Sequence, residues 1–215
     1  MLMRQILDVY DLLDRADASG AMMEAYMRSL GAENVDVTTI EGPKGKTDMI
    51  RVIIPGRKGK IAGGEAPTLG VLGRLGGLGA RPEQIGFVSD GDGALISLAV
   101  AAKLLDMKKK GDELEGDVVV CTHICPDAPT SPHKPVPFMG SPVDMATVNK
   151  HEVNGSLDAI LSVDTTKGNR IINTRGFAIS PTVKDGYILR VSEDLLDIMQ
   201  RTTGKLPYVF AITTQ

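Results

Sequence analysis

Residues 84–123 read QIGFVSDGDGALISLAVAAKLLDMKKKGDELEGDVVVCTH, and this stretch decides the fold. A strand-like run, Gln84–Ser89, enters the loop Asp90-Gly91-Asp92-Gly93. A long apolar segment follows from Ala94 to Met107, then a lysine cluster, then a second strand-like run, Asp117–Thr122. Strand, helix and strand at this spacing make a βαβ unit, whose strands are parallel because the connection is a crossover and not a hairpin. The helix is apolar on most faces, which predicts burial. Lys108, Lys109 and Lys110 close it where cations complement the helix dipole.

Working outward, Leu2, Ile6, Val9, Tyr10 and Leu13 recur at helical spacing, as do Met23, Tyr26, Met27 and Leu30, with Gly31 placed to end the second helix. Asn34–Ile40 alternates as a strand, the turn Glu41-Gly42-Pro43 follows, and a strand runs through Met49–Ile54, a pair that suits an antiparallel edge. Thr68–Leu72 reads as a short buried strand. After His123 the chain carries Pro126, Pro129, Pro132, Pro135, Pro137 and Pro142, which predicts a stiff, extended loop. Ser156–Val163, Tyr187–Val191 and Leu206–Thr213 read as strands and Leu195–Arg201 as a helix. The expected fold is a single three-layer α/β domain over residues 1–215, with a mixed, mostly parallel central sheet.

With 215 residues, 42% of them hydrophobic and 24% charged, the chain can bury one core. A net charge of −3 and the absence of Trp give no case for nucleic acid or a membrane surface as partner. Arg4, Asp8, Asp11, Asp14 and Arg15 interrupt the N-terminal apolar pattern, so it is not a signal peptide. Cys121 and Cys125 do not make a disulfide framework. A cytoplasmic location is expected.

Three expected strands stop on residues that can hold a metal or move a proton: Asp90, His123 and Asp164. Ligands of open α/β sheets collect at the carboxyl ends of strands. Asp92 lies in the same loop as Asp90, where an aspartate also serves as an ordinary helix cap. His123 has an equally ordinary reading as a hydrogen-bonded structural histidine. Cys125, Asp127 and His133 follow in the proline loop. Arg74, at the end of the Thr68–Leu72 strand, suits a substrate carboxylate or phosphate, or an ion pair with one of the aspartates.

Asp90–Leu105 resembles the bridging-aspartate segment of the clan of zinc-dependent aminopeptidases and carboxypeptidases with a phosphorylase-like core. Leu157–Thr166, LDAILSVDTT, looks like the segment of the glutamyl-aminopeptidase-like family in which an aspartate ends a strand and binds metal. The pattern departs elsewhere: Arg74 and Gly76 stand in place of a metal histidine and an aspartate, and residues 123–125 in place of a glutamate pair. Over the whole chain, GRLGGLGARPEQIGFVSDGDGA (73–94) and THICPDAPTSPHKPVPF (122–138) resemble the family called domain of unknown function 1177. That likeness implies a longer chain, with a further C-terminal segment.

Two expectations follow. In the first, Asp90 or Asp92, His123 and Asp164 hold a divalent ion, zinc or manganese, for hydrolysis of a small peptide or amide. Arg74 then holds the substrate, and Asp127 or His133 is the acid or base. In the second, a non-catalytic relative binds a small anionic ligand or serves as an assembly subunit, Arg74 replacing the metal charge. Ten methionines, with Met22, Met23 and Met27 clustered in the N-terminal helices, suit core packing, and a homo-oligomer is expected.

Overall fold

Every residue of Val118–Ile124 is buried, as a strand with neighbours on both edges and cover on both faces requires. The structure is a computed structural model that describes residues 2–74, 76, 86–87, 91–134, 138–165, 170 and 175–212. The chain groups into two compact units, residues 1–165 and 166–215, and the α/β sheet lies in the first. In chain order the first unit holds α1 (Leu2–Leu13), α2 (Gly20–Ser29), β1 (Asn34–Gly42), β2 (Gly45–Ile54) and β3 (Leu69–Gly73). There follow α3 (Asp92–Lys109), β4 (Val118–Ile124), β5 (Thr130–Ser131), β6 (Phe138–Met139), α4 (Met145–Glu152) and β7 (Ala159–Val163).

Five strands pair in the order β1-β2-β4-β3-β7. The ladder is antiparallel from β1 through β2 to β4 and parallel across β4, β3 and β7. The mixed α/β sheet expected from sequence is present, and its hairpin edge is the β1–β2 pair. Alternate residues serve the two faces. Ile50, Val52, Ile54, Val71, Val118, Val120 and Ile124 face a core shared with α1, α2 and α3. Met23 and Met27 lie within that core, so these two methionines are packing residues. On the other face Leu72, Val119 and Cys121 meet Ile53 and Leu157, and Val148 of α4 packs on Met49.

The crossover into β4 runs β3–α3–β4. Of the expected strand Gln84–Ser89 only Gly86 and Phe87 are described, in a bend where the Phe87 N–H donates to Asp14 Oδ1 at 2.6 Å. The remainder of that strand, with Asp90, lies outside the described residues. α3 comes close to the sheet because its inner face is small: Ala94, Ser97, Ala101 and Ala102 are buried beside Leu98 and Leu105. Two glycines permit the approach. A Cβ on Gly93 would strike the Arg74 backbone, and one on Gly73 would strike the Gly93 carbonyl.

Proline content concealed structure after β4. The segment contains the short antiparallel pair β5–β6 and then α4, whose N-cap Asp144 accepts from the Thr147 N–H at 2.8 Å. The second unit holds the hairpin β8 (Thr182–Lys184) and β9 (Tyr187–Leu189), and α5 (Glu193–Thr203). The strand expected over Leu206–Thr213 reduces, among the described residues, to an isolated bridge between Ile179 and Val209. Pro207 removes a ladder donor there. No helix among the described residues is long and apolar enough to cross a membrane.

Gly93→Ala is expected to destabilise the chain by about 1–3 kcal/mol, because the new methyl must displace the backbone of Arg74. Gly155→Ala, where a Cβ meets open space, is the control and should be neutral. Urea denaturation of both variants checks the contrast.

A candidate site at the carboxyl edge of the parallel strands

Parallel pairing brings the ends of β3, β4 and β7 to one edge. Gly73 pairs with Val163, so Arg74 and Asp164 follow side by side, and the Arg74 N–H donates to the Val163 carbonyl at 2.7 Å. The antiparallel β2 delivers its first residues, including Thr47, to the same edge, because Asp48 lies opposite Ile124.

Arg74 is largely buried, its side chain 11% exposed. Its Nη2 lies 3.0 Å from Glu152 Oε2 and donates to Asn149 Oδ1 at 2.7 Å, both residues of α4. The contact to Glu152 is an ion pair without an aligned hydrogen bond: among the described residues both carboxylate oxygens and Arg74 Nε have no hydrogen-bond partner. Burial pushes the Glu152 carboxyl from its usual 4.5 up to about 7, against the pull of the Arg74 and Arg51 charges. The ion-pair distance alone would suggest a depressed value. Desolvation wins because Glu152 has no exposure at all. Sequence analysis missed Glu152, which stands in a polar run, NKHE, that looks like a solvated helix end. Arg51 within the apolar strand sequence Met49-Ile50-Arg51-Val52 was the signal that a buried carboxylate lay opposite.

His123 lies inside β4, opposite Met49, and is 2% exposed. Nε2 accepts from the Gly76 N–H at 3.2 Å, so the ring proton is on Nδ1 and is donated to Thr47 Oγ1 at 3.0 Å. The Thr47 hydroxyl passes its own proton to the Ile124 carbonyl at 3.2 Å. Every donor and acceptor of this chain is used. Burial, with the nearby Arg74 charge, lowers the imidazole pKa to about 4, so the ring is neutral at physiological pH.

The remaining residues singled out from sequence are more dispersed. Asp92 is the first residue of α3 and exposed, and Gly91 occupies the cap position. Asp164 is exposed and accepts from the Thr165 N–H at 2.8 Å. Asp127 and His133 are exposed on either side of β5. Both cysteine thiols are raised to about 11, chiefly by burial, and are unreactive at neutral pH. Among the described residues no three His, Cys, Asp or Glu side chains come together as a metal-ligand set. His123 could ligate an ion only by surrendering Thr47 or Gly76, so the described residues do not offer it as a free metal ligand.

A family model described as protein of unknown function (DUF1177) matches residues 38–215. Among solved structures, a glutaminyl cyclase from an Acidobacteriales bacterium is 16% identical, with 100% of this chain and 72% of that one covered and a TM-score of 0.52. A tomato leucine aminopeptidase mutant is 11% identical over 60% of this chain and 28% of its own, with a TM-score of 0.42. An M17 aminopeptidase from Trypanosoma brucei is 13% identical over 63% and 30%, with a TM-score of 0.36. This chain therefore spans less than a third of each aminopeptidase. The cyclase likeness shows a shared fold. No curated protein matches the sequence.

Buried Glu152 and buried His123 predict opposite pH slopes. Glu152 is protonated more readily folded than unfolded, so its stabilising contribution is complete below about pH 4.5 and is lost as pH rises through 7. His123 resists protonation when folded, so its contribution is complete above pH 6.5 and is lost as pH falls through 4. Each effect is on the order of 3 kcal/mol. Relative to the native chain, Glu152→Gln should gain stability as pH rises from 4.5 to 7, and His123→Gln should lose stability over 4 to 6.5. Urea midpoints measured across that range test both signs.

Proposed function

We propose, for a chain that belongs to the DUF1177 family, that the carboxyl edge of its parallel strands binds a small anionic ligand through Arg74. The protein is then a non-catalytic variant of the exopeptidase fold. One observation carries this reading: Arg74 is fixed by Asn149 and Glu152, yet among the described residues its buried Nε–H has no partner. A guanidinium with a buried, unused donor favours an acceptor, and an anion more than a neutral one. Protonation of Glu152 near neutral pH leaves the Arg74 charge uncompensated by its partner, so anion affinity should rise as pH falls below 7.

A second reading is metal-assisted hydrolysis of a small peptide or amide. It places zinc or manganese on Asp90 or Asp92, His123 and Asp164, with Asp127 or His133 as acid or base. The arrival of Arg74, His123 and Asp164 at one strand edge supports it. The closed hydrogen-bond chain of His123 opposes it.

The two separate cleanly. Phosphate, acetate and succinate should raise the melting temperature of the native protein, more at pH 6 than at pH 8, and Arg74→Lys should weaken that affinity by roughly tenfold through loss of the guanidinium fork. No response to any of the three anions overturns the binding reading. So does a stoichiometric divalent ion in protein purified without chelators, or peptidase activity gained on adding zinc or manganese.

Assembly is part of the same proposal. The second unit exposes Val183, Tyr187, Ile188 and Leu206, an apolar content that suits a homo-oligomer. Light scattering at micromolar concentration should report more than one chain per particle, and a monodisperse monomer contradicts it.

A further inference from the structure

A second site lies beside the first, on the face of the sheet that α4 covers. Asp36, Arg51 and Cys121 form one row across β1, β2 and β4, each directly opposite the next. His151 and Glu152 of α4 close a cleft of about 140 Å³ over this row, with Thr38 and the exposed Asp36 at its lining. That volume is well below the few hundred Å³ that hold a drug-sized ligand, so an occupant has only a handful of heavy atoms.

The polar groups lining the cleft are left incomplete. Arg51 Nη2 donates to the His151 carbonyl at 2.6 Å, which fixes the guanidinium at the C-terminal end of α4. A guanidinium has five N–H donors, and this is one of them. Glu152 is fully buried and neither of its oxygens accepts a hydrogen bond. Among the described residues no direct ion pair joins Arg51 to Glu152, although the Arg51 charge reaches the carboxylate. A fixed cation, and a carboxylate that Arg74 pairs in charge but does not hydrogen-bond, therefore line one small cleft.

We propose that this cleft binds a small zwitterion of the amino-acid class, its ammonium donating to the Glu152 carboxylate and its carboxylate accepting from Arg51. A molecule carrying both charges supplies Arg51 with an anionic acceptor and Glu152 with the hydrogen-bond donor it lacks. An amine alone leaves Arg51 unmatched, and an anion alone leaves Glu152 unmatched. The inference shares Glu152 with the anion site at Arg74, but that site needs no ammonium group and no contact with Arg51.

Glu152 is faced by Arg51 on β2, Cys121 on β4, Arg74 after β3, and Asp36 and His151 at the cleft, and its ionised form is the one that receives an ammonium. Zwitterion binding therefore strengthens as pH rises through about 7, opposite to the anion response at Arg74.

Isothermal titration of the full chain with glycine, methylammonium and acetate at pH 8 tests the proposal. Glycine should bind at least about tenfold more tightly than either half-molecule, and Glu152→Gln should lose about tenfold or more of that affinity. This variant removes a buried charge and keeps the side-chain size, so it should remain folded at pH 8. Arg51→Lys should also weaken glycine. Glycine binding no better than acetate or methylammonium overturns the proposal and marks the cleft as a water-filled notch. So does glycine affinity unchanged in Glu152→Gln. Stabilisation by phosphate that persists in Arg51→Lys while glycine binding weakens separates this site from the Arg74 site.

Discussion

A carboxylate taken wholly out of water has to be matched by charge, and the meeting of α4 with the sheet depends on how Glu152 is matched. Two guanidiniums from two strands converge on the last turn of a single eight-residue helix. Arg74, at the end of β3, pairs with Glu152 and bonds Asn149. Arg51, in the middle of β2, bonds the carbonyl of His151. A helix this short has little stability of its own. Its apolar hold is Val148 against Met49 and Val143, so the charged contacts do much of the anchoring. The matching is incomplete, which is why the carboxyl titrates near neutrality instead of near its ordinary value.

One strand step away, His123 solves the opposite problem. Its imidazole is kept neutral and fully bonded, and it links three segments: β4 itself, Thr47 at the start of β2, and Gly76 beyond the end of β3. The Cys125 N–H donates to the Gly76 carbonyl at 2.8 Å and doubles the last link. A residue placed where a ligand is expected thus acts as a strut. Its depressed pKa is a consequence of that burial and gives no sign of catalytic tuning.

The sheet was legible because strand signals are local. Val118–Ile124 is apolar apart from Thr122 and His123, as suits a buried strand. The alternation of Asn34–Ile40 marks a strand whose faces differ, and Met49–Ile54 is apolar apart from Arg51. The helices α1, α2 and α3 were legible from their apolar spacing. α4 was not, since it is short, polar on most faces and embedded in a proline-rich stretch. The Asp144-Met145-Ala146-Thr147 cap was its one local mark. The site was half legible. That Arg74, His123 and Asp164 share an edge follows from parallel strands. The partner of Arg74 comes from a helix nearly eighty residues later in the chain, and nothing local in either segment names the other.

Delivery of polar residues to one strand edge is a property of the topology and carries no chemistry by itself. A divalent ion at such an edge does two things: it attracts anionic groups, and it lowers the pKa of a bound water so that hydroxide is available at neutral pH. A guanidinium held by the chain reproduces the first and not the second, because it has no open coordination position for water. On the proposed reading, Arg74 in place of a metal histidine would preserve attraction for a ligand while removing the means of activating water. The general base that hydrolysis also requires would have to be a carboxylate or a free imidazole, and His123 has both nitrogens engaged. Electrostatic recognition and hydrolytic power are therefore separable on this sheet, and a single exchange of a ligand for a permanent cation is enough to separate them.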